Sequence, residues 1–128
     1  MQSNAIQQDE LAAVLHQADI LSIHLPLLPE TQNIISAHEL SLLKPSISII
    51  NTARGGIVNE PSLHAFLLKN PDAFAAFDVY AEEPALENQL FELPNFFGTS
   101  HRSSLTDEGI RAMGLAAIAG LDDNKILT

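Results

Sequence analysis

Short apolar runs alternate along this chain with segments of helical spacing, and this alternation restricts the possible folds more than any other feature. The predicted strands are residues 20–25, 46–50, 73–77 and 96–99. Strands that alternate with helices are typical of βαβ units, in which right-handed crossovers join parallel strands. The strand interiors are continuous apolar runs, so we expect a sheet that is covered on both faces. The predicted fold class is α/β.

The segments between the strands carry helix start and stop signals. Ser36 with Glu39 three residues later predicts a capping box, and Lys44-Pro45 is expected to end that helix. Asn59 is a predicted N-cap, with Pro61 in the first turn of its helix. A first helix is predicted around residues 11–15. A last helix is expected to begin at Thr106 and to carry the apolar residues Ile110, Met113, Ala117, Ile118 and Leu121.

Composition excludes several classes of partner. The chain has 128 residues, which suits one domain, and its formal net charge of -10 disfavours a nucleic-acid or anionic membrane surface. It has no cysteine, and its five histidines show no metal-ligand spacing, so we expect no disulfide and no metal site. Because we find no apolar run long enough to cross a membrane, we expect a cytoplasmic protein.

The clearest single stretch is residues 46–56. Ile47, Ile49 and Ile50 indicate a buried strand, and the strand ends at Asn51. Arg54 and two glycines follow, so a cation is expected at the carboxyl end of a buried strand, where ligands bind in open α/β sheets. The alternative is an arginine that caps a turn and pairs with a surface carboxylate.

Three polar residues stand just beyond predicted strand ends: Arg54, Glu83 and His101. The carboxyl ends of parallel strands lie at one edge of a sheet, so these residues can converge. Arginine can hold a carboxylate through two hydrogen bonds, and histidine can exchange a proton with a hydroxyl near neutral pH. A carboxylate on the other ring nitrogen would orient the histidine. Such a set suits the oxidation of a 2-hydroxy acid or the reduction of a 2-keto acid.

Several short motifs make the chain resemble the D-isomer-specific 2-hydroxyacid dehydrogenases, the family of phosphoglycerate, glyoxylate/hydroxypyruvate and D-lactate dehydrogenases. The resemblance covers about residues 9–121, and its most specific piece is Asn-Thr-Ala-Arg-Gly-Gly at residues 51–56. The other matching pieces are residues 24–31, 43–45, 78–80, 83–84, 93–95 and 99–101.

The resemblance implies a fold and a set of roles. The fold would be the second half of a doubly wound, Rossmann-like NAD(P)-binding domain, with residues 1–128 as one partial domain. Arg54 would bind the substrate carboxylate, His101 would be the acid/base, and Glu83 would partner His101. The residues expected to contact the nicotinamide end of NAD or NADP are Thr52, Ala53, Arg54, Asp78 and His101.

The chain departs from the family pattern in two respects. Its glycines stand at 55, 56, 98, 109, 114 and 120, so these 128 residues contain no Gly-rich phosphate loop, and we expect them to lack the substrate domain as well. The family usually has Pro-His-Ile-Gly, whereas this chain has Ser100-His101-Arg102-Ser103. Ser103 thus replaces a glycine at a point of close approach, and Arg102 adds a cation.

Two functions follow as hypotheses. The first is an NAD(P)-dependent oxidoreductase of 2-hydroxy acids, present as a fragment that we expect to be inactive alone. The second is a non-catalytic α/β domain that acts as a binding or oligomerisation module. We also expect a homodimer, with segment swapping or aggregation as the alternatives, because residues 20–25 would form an apolar edge strand without a blunting lysine or proline.

Overall fold

The computed structural model describes residues 6–123, with side chains described through residue 120. Its strands are β1 (Ile20–Ile23), β2 (Ser48–Asn51), β3 (Phe74–Phe77) and β4 (Phe96–Gly98). Its α-helices are α1 (Leu11–Gln17), α2 (Ala37–Ser41), α3 (Glu60–Lys69) and α4 (Asp107–Asp123), and a 3₁₀ helix spans Gln89–Glu92. The side chain of Leu121, which belongs to the predicted last helix, lies outside the described residues.

The four strands form one parallel sheet in the order β1-β2-β3-β4. In the register, Ile49 of β2 lies between Leu21 of β1 and Ala75 of β3, and Phe96 of β4 pairs with Ala75. Each strand therefore lies beside the next strand in the sequence. This arrangement confirms the predicted α/β class with a parallel sheet and flanking helices.

The prediction that the sheet is covered on both faces is wrong for the part of the chain described. Ile23, Ile49 and Phe77 are buried on one face. On the other face Ile20 is 64% and Phe97 is 58% exposed. Right-handed crossovers that always step in the same direction put their helices on the same face of a sheet. Because the strand order never reverses here, the second face stays open.

The hydrophobic core lies between the buried face and the helices. Leu15 of α1, Leu40 of α2 and Leu63 of α3 all reach it and are at most 1% exposed. Burial of a side chain of this kind contributes about 1.5–3 kcal/mol relative to leaving it exposed. The helices are therefore held chiefly by these leucines, since α1 and α2 are too short to be stable alone.

Three predicted helix starts are confirmed. The Asn59 side chain accepts a hydrogen bond from the backbone N–H of Ser62 at 3.0 Å. The Glu39 carboxylate accepts the backbone N–H of Ser36 at 3.0 Å, as a capping box requires of its glutamate. The Thr106 hydroxyl accepts the backbone N–H of Gly109 at 3.0 Å, and α4 begins at the next residue, Asp107. The 3₁₀ helix was not predicted.

Strand β1 was predicted to be an apolar edge strand, and only Ile23 is buried in it. It pairs only with β2, and so lies at an edge of the described sheet. Helix α4 is likewise exposed along its described side chains, including Ile110, Met113 and Ile118. No described helix is both long and apolar enough to cross a membrane.

Gly55 lies where two parts of the chain approach each other closely. A Cβ added to Gly55 would overlap the backbone carbonyl of Tyr80 and come within 2.6 Å of the Ala81 nitrogen. Neither group can move away without shifting the chain that follows β3. Any side chain at residue 55 would therefore push apart the loop after β2 and the loop after β3.

We expect Gly55→Ala to lower the free energy of unfolding by about 1–3 kcal/mol, the usual cost of overpacking a tight contact. The measurement is urea denaturation followed by circular dichroism. Gly114→Ala is the matched control, because a Cβ there meets nothing within 4 Å, and alanine favours a helix over glycine by about 0.5–1 kcal/mol. Equal stabilities of the two variants would contradict the proposed contact.

Candidate active site

The loop after β2 is held by the buried side chain of Asn51. Its amide oxygen accepts the backbone N–H of Ala53 at 3.1 Å, and its amide nitrogen donates to the carbonyl of Arg54 at 3.0 Å. Asn51 is fully buried, so both bonds are shielded from water. One asparagine thus determines the path of the backbone that carries Arg54.

Arg54 extends from this loop into solvent-accessible space. One of its guanidinium nitrogens donates to the carbonyl of Ala53 at 2.7 Å, and no carboxylate among the described residues pairs with it. The structure therefore contains the turn contact of the alternative interpretation, but not its pairing with a surface carboxylate. Thr52, Ala53 and Arg54 line a cleft of about 620 Å³ together with residues 24–27.

The end of β3 carries a buried carboxylate, Asp78, which is 2% exposed. One of its oxygens accepts the Thr99 hydroxyl and, at 2.7 Å, the backbone N–H of Arg102. The other oxygen accepts the backbone N–H of Ser103 at 2.8 Å. These bonds attach the loop of residues 99–103 to the end of β3 on both sides of His101.

The hydrogen bonds also keep Asp78 ionised. Burial alone would raise the pKa of this carboxyl, but the bonds from Thr99, Ser103 and the Arg102 backbone outweigh it and hold the pKa well below its usual range. A charge-assisted hydrogen bond is roughly twice as strong as a neutral one. Ionised Asp78 is therefore a firm anchor for the loop.

His101 sits at the tip of this loop in an unusual backbone conformation. Its φ is 52°, in the left-handed region that few residues other than glycine adopt. The imidazole Nδ1 lies 2.9 Å from Oε2 of Glu83. A carboxylate on Nδ1 leaves Nε2 as the ring nitrogen that can exchange a proton with a bound molecule.

Glu83 is held from two directions. Besides His101, the backbone N–H of Tyr80 donates to its second oxygen at 3.0 Å. The hydrogen bonds from His101 and from Tyr80 lower the pKa of Glu83 below its ordinary value of 4.5. The carboxylate therefore stays negative near neutral pH and can stabilise a protonated His101.

Tyr80 itself is buried, and its hydroxyl donates to the carbonyl of Phe77 at 3.1 Å. Burial raises the pKa of Tyr80 to about 12, with further contributions from the carboxylates of Asp78, Glu60 and Glu83. The phenol thus stays protonated near neutral pH and acts as a structural donor.

The predicted catalytic residues meet in one place. Arg54, Glu83 and His101 line a shallow cleft of about 250 Å³, together with Leu27 and Tyr80. The predicted cofactor residues, by contrast, lie in two separate places. Thr52, Ala53 and Arg54 line the cleft beside β1, whereas Asp78 lies beneath the His101 loop with both oxygens engaged. The role of Asp78 at the nicotinamide stays a prediction.

Sequence reasoning assigned no role to three residues that shape this site: Asn51, Tyr80 and Glu60. Glu60 accepts the backbone N–H of Ala81 at 2.6 Å and the side-chain amide of Asn88 at 2.7 Å. The only signal in the sequence that could have indicated these residues is that each is a polar residue next to a strand end or at a helix start.

Within the described chain, no group of three or more His, Asp or Glu side chains could hold a metal ion.

The sequence of this chain is similar to those of known dehydrogenases. A profile described as "D-isomer specific 2-hydroxyacid dehydrogenase, NAD binding domain" matches residues 1–103. The D-3-phosphoglycerate dehydrogenase of Methanocaldococcus jannaschii is 37% identical over 106 residues, which are 83% of this chain and 20% of that protein. The chain therefore spans about a fifth of the length of this relative.

Two solved structures have similar folds. D-lactate dehydrogenase with NAD+ from Lactobacillus jensenii has a TM-score of 0.78 at 30% identity, over 86% of this chain and 37% of that one. A D-isomer specific 2-hydroxyacid dehydrogenase from Xanthobacter autotrophicus, in complex with NADPH and MES, has a TM-score of 0.68 at 35% identity, over 71% and 29%.

We expect Asp78→Asn to loosen the His101 loop, because an amide NH₂ would face backbone N–H groups that need an acceptor. The free energy of unfolding should fall by about 1–3 kcal/mol at neutral pH. The folded-state pKa of Asp78 is lowered, so its contribution is present above the unfolded pKa of about 3.9 and is lost as pH falls through the folded pKa. The difference from wild type should therefore shrink in acid.

The measurement is urea denaturation as a function of pH, together with NMR of the His101 ring. The exposed Asp72 offers a control, since Asp72→Asn makes the same chemical change without a loop to hold. An Asp78→Asn chain with unchanged His101 resonances would show that the loop does not depend on this carboxylate.

Proposed function

The chain belongs to the D-isomer specific 2-hydroxyacid dehydrogenase family, within its NAD-binding domain, and we propose from this premise that its site transfers a hydride between NAD(P) and a 2-hydroxy or 2-keto acid. The activity belongs to a complete enzyme of which this chain supplies the nicotinamide-side half. The observation that carries the proposal is the single cleft lined by Arg54, Glu83 and His101.

The proposed roles follow from the chemistry of the three side chains. Arg54 holds the substrate carboxylate through its planar fork and so aims C2 of the acid toward His101. In the reducing direction, protonated His101 donates its Nε2 proton to the carbonyl oxygen; in the oxidising direction, neutral His101 accepts the hydroxyl proton. Glu83 holds Nδ1 and stabilises the imidazolium whenever it forms.

The residues beside β1 and β2 suit one end of a dinucleotide. The cleft lined by Thr52, Ala53 and Arg54 lies at the carboxyl ends of neighbouring parallel strands, where cofactors bind in such sheets. These residues would hold the nicotinamide end of NAD(P), which would supply or accept the hydride. This chain has no Gly-rich loop for the pyrophosphate, so its own residues suit only the nicotinamide end. One structural relative was solved with NAD+ and another with NADPH, so the proposal includes both cofactors.

A non-catalytic binding module is the less favoured function. An arginine with a purely structural role would be expected to form an ion pair with a carboxylate. A histidine with a purely structural role would not need a carboxylate on one ring nitrogen while its other ring nitrogen stays free. Here Arg54 has no carboxylate partner among the described residues, and His101 is oriented by Glu83 next to the same cleft.

A hybrid enzyme tests this proposal. The matching region of the Methanocaldococcus jannaschii relative would be replaced by this chain, and NAD reduction with D-3-phosphoglycerate would be measured. We expect activity that falls by about 10²–10⁴-fold in kcat with His101→Ala, the usual effect of losing a general acid/base. Arg54→Lys should mainly raise KM, because lysine cannot reproduce the bidentate fork.

Exposed His38 on α2 provides the matched control, and His38→Ala should leave kcat and KM unchanged. The isolated 128-residue chain is expected to show no NADH oxidation with 2-keto acids, because half a cleft cannot orient both reactants. A folded hybrid whose kcat survives His101→Ala would overturn the proposed role.

We also propose that the isolated chain self-associates through β1. Its outer backbone groups are unpaired in the described sheet, and Ile20 beside them is 64% exposed. An apolar edge without lysine or proline invites pairing with another strand. The open sheet face next to it adds Phe74 and Phe97 as exposed apolar surface.

Sedimentation velocity at micromolar concentration checks this proposal. We expect concentration-dependent association of the wild-type chain, and a shift toward monomer with Ile20→Lys, because a charge on the edge opposes pairing. Leu68→Lys is the control, since Leu68 on α3 is 63% exposed and lies away from the sheet. A wild-type chain that sediments as a monomer at every concentration would refute association through this edge.

A further inference from the structure

The loop of residues 81–88, which carries Glu83, has little apolar packing to hold it in place. All its residues are exposed except Ala85 and Asn88, which are half-buried. It lines a cavity of about 660 Å³ together with residues 98–102, and a second cavity of about 450 Å³ together with Glu60. Because a loop that borders cavities makes few packing contacts, its position depends mainly on hydrogen bonds.

Beyond the residues that directly adjoin it, this loop makes hydrogen bonds to two residues of the described chain. One is His101, whose Nδ1 lies 2.9 Å from Oε2 of Glu83. The other is Glu60. One oxygen of the Glu60 carboxylate accepts the backbone N–H of Ala81 at 2.6 Å, and the other accepts the side-chain amide of Asn88 at 2.7 Å. A single carboxylate therefore holds both the first and the last residue of the loop.

Glu60 itself belongs to a well-anchored element. It is the first residue of α3, whose start is capped by Asn59 and whose Leu63 and Leu67 are at most 1% exposed in the core. A side chain on a helix that is fixed by packing has a better defined position than a side chain on a loop. The two ends of loop 81–88 are thus placed relative to the core through Glu60.

The position of Glu83 determines which ring nitrogen of His101 carries the proton. An ionised carboxylate can only accept hydrogen bonds, so the Nδ1 atom that faces it must donate. In the neutral ring Nε2 then has a free lone pair. A hydrogen bond of this kind is lost once its two heavy atoms separate well beyond about 3.2 Å. A displacement of Glu83 by about 1 Å would therefore leave the ring free to adopt the other tautomer.

We propose that Glu60 is a positioning residue for His101: by holding both ends of loop 81–88, it keeps Glu83 on Nδ1 and so sets the tautomer of the ring. The inference rests on the proposed function, in which His101 exchanges a proton through Nε2. Neutral His101 can accept the hydroxyl proton of a 2-hydroxy acid there only when Nε2 carries no proton. Glu60 makes no hydrogen bond to His101 within the described chain, so its effect on the ring passes through the loop.

Nitrogen NMR of the His101 ring in the 128-residue chain tests the proposal, because the ring nitrogen shifts distinguish the two neutral tautomers. In Glu60→Gln the introduced NH₂ group would face either the N–H of Ala81 or the amide NH₂ of Asn88, so one end of the loop would be released. At alkaline pH, where a histidine ring is neutral, we expect the ratio of the Nδ1–H to the Nε2–H tautomer to fall about fivefold, the effect of losing one net hydrogen bond.

A second variant, Asn88→Asp, breaks the same contact from the loop. The introduced aspartate would bring a second carboxylate against Glu60, and it could still accept the backbone N–H of Leu90, as Asn88 does at 3.0 Å. We expect the same fall in the tautomer ratio. Combining Glu60→Gln with Asn88→Asp should restore the wild-type ratio, because the glutamine oxygen can accept from Ala81 while its NH₂ donates to the aspartate.

Glu39→Gln is the matched control for these variants. Glu39 caps α2 by accepting the backbone N–H of Ser36, and it lines neither cavity that contains His101. Its replacement should therefore keep the wild-type tautomer ratio. Circular dichroism verifies that each variant is folded.

A folded Glu60→Gln chain with the wild-type tautomer ratio overturns the positioning role. If that variant does not fold, Asn88→Asp and the combined variant decide: the role stands only if the ratio falls in the first and returns in the second. These measurements contain no substrate and no cofactor, so they do not depend on the proposed function. That function fails separately if a folded hybrid enzyme keeps its kcat in His101→Ala, whatever the tautomer ratio.

Discussion

The one-way order of the parallel strands is the constraint on which the rest of this structure depends. Because β1, β2, β3 and β4 all pair in parallel, every strand points the same way and all their carboxyl ends lie at one edge. Residues from the loops after β2, β3 and β4 therefore share a single cleft. The same one-way order puts the crossover helices on one face and leaves the other face of the described sheet open.

Three polar side chains, of which Asn51 and Asp78 are buried, turn that edge of the sheet into a site of defined shape. Asn51 holds the loop after β2, Glu60 holds the loop after β3, and Asp78 holds the loop after β4. None of the described buried side-chain nitrogen or oxygen atoms lacks a hydrogen-bond partner. A buried polar group that is fully bonded is costly to displace, so the loops that carry Arg54 and His101 have little freedom to move.

Charge is distributed very unevenly in this molecule. A chain with a net charge of -10 exposes Arg54 and Arg102 next to cavities that meet at His101, while the carboxylate of Glu83 faces the imidazole. The exposed guanidinium of Arg54 can attract an anionic ligand at short range even though the net charge of the protein repels anions.

The sequence by itself determined the α/β class, the approximate strand positions, the capping residues Asn59 and Thr106, and the resemblance to a family, because these depend on local spacing and short motifs. It also indicated Arg54, Glu83 and His101, whose chemistry is visible in residue type. Only the tertiary structure decided that the sheet is open on one face, that Asp78 anchors the His101 loop, and that Arg102 lines a cavity. These depend on strand order and on contacts between residues distant in sequence, which no local pattern encodes.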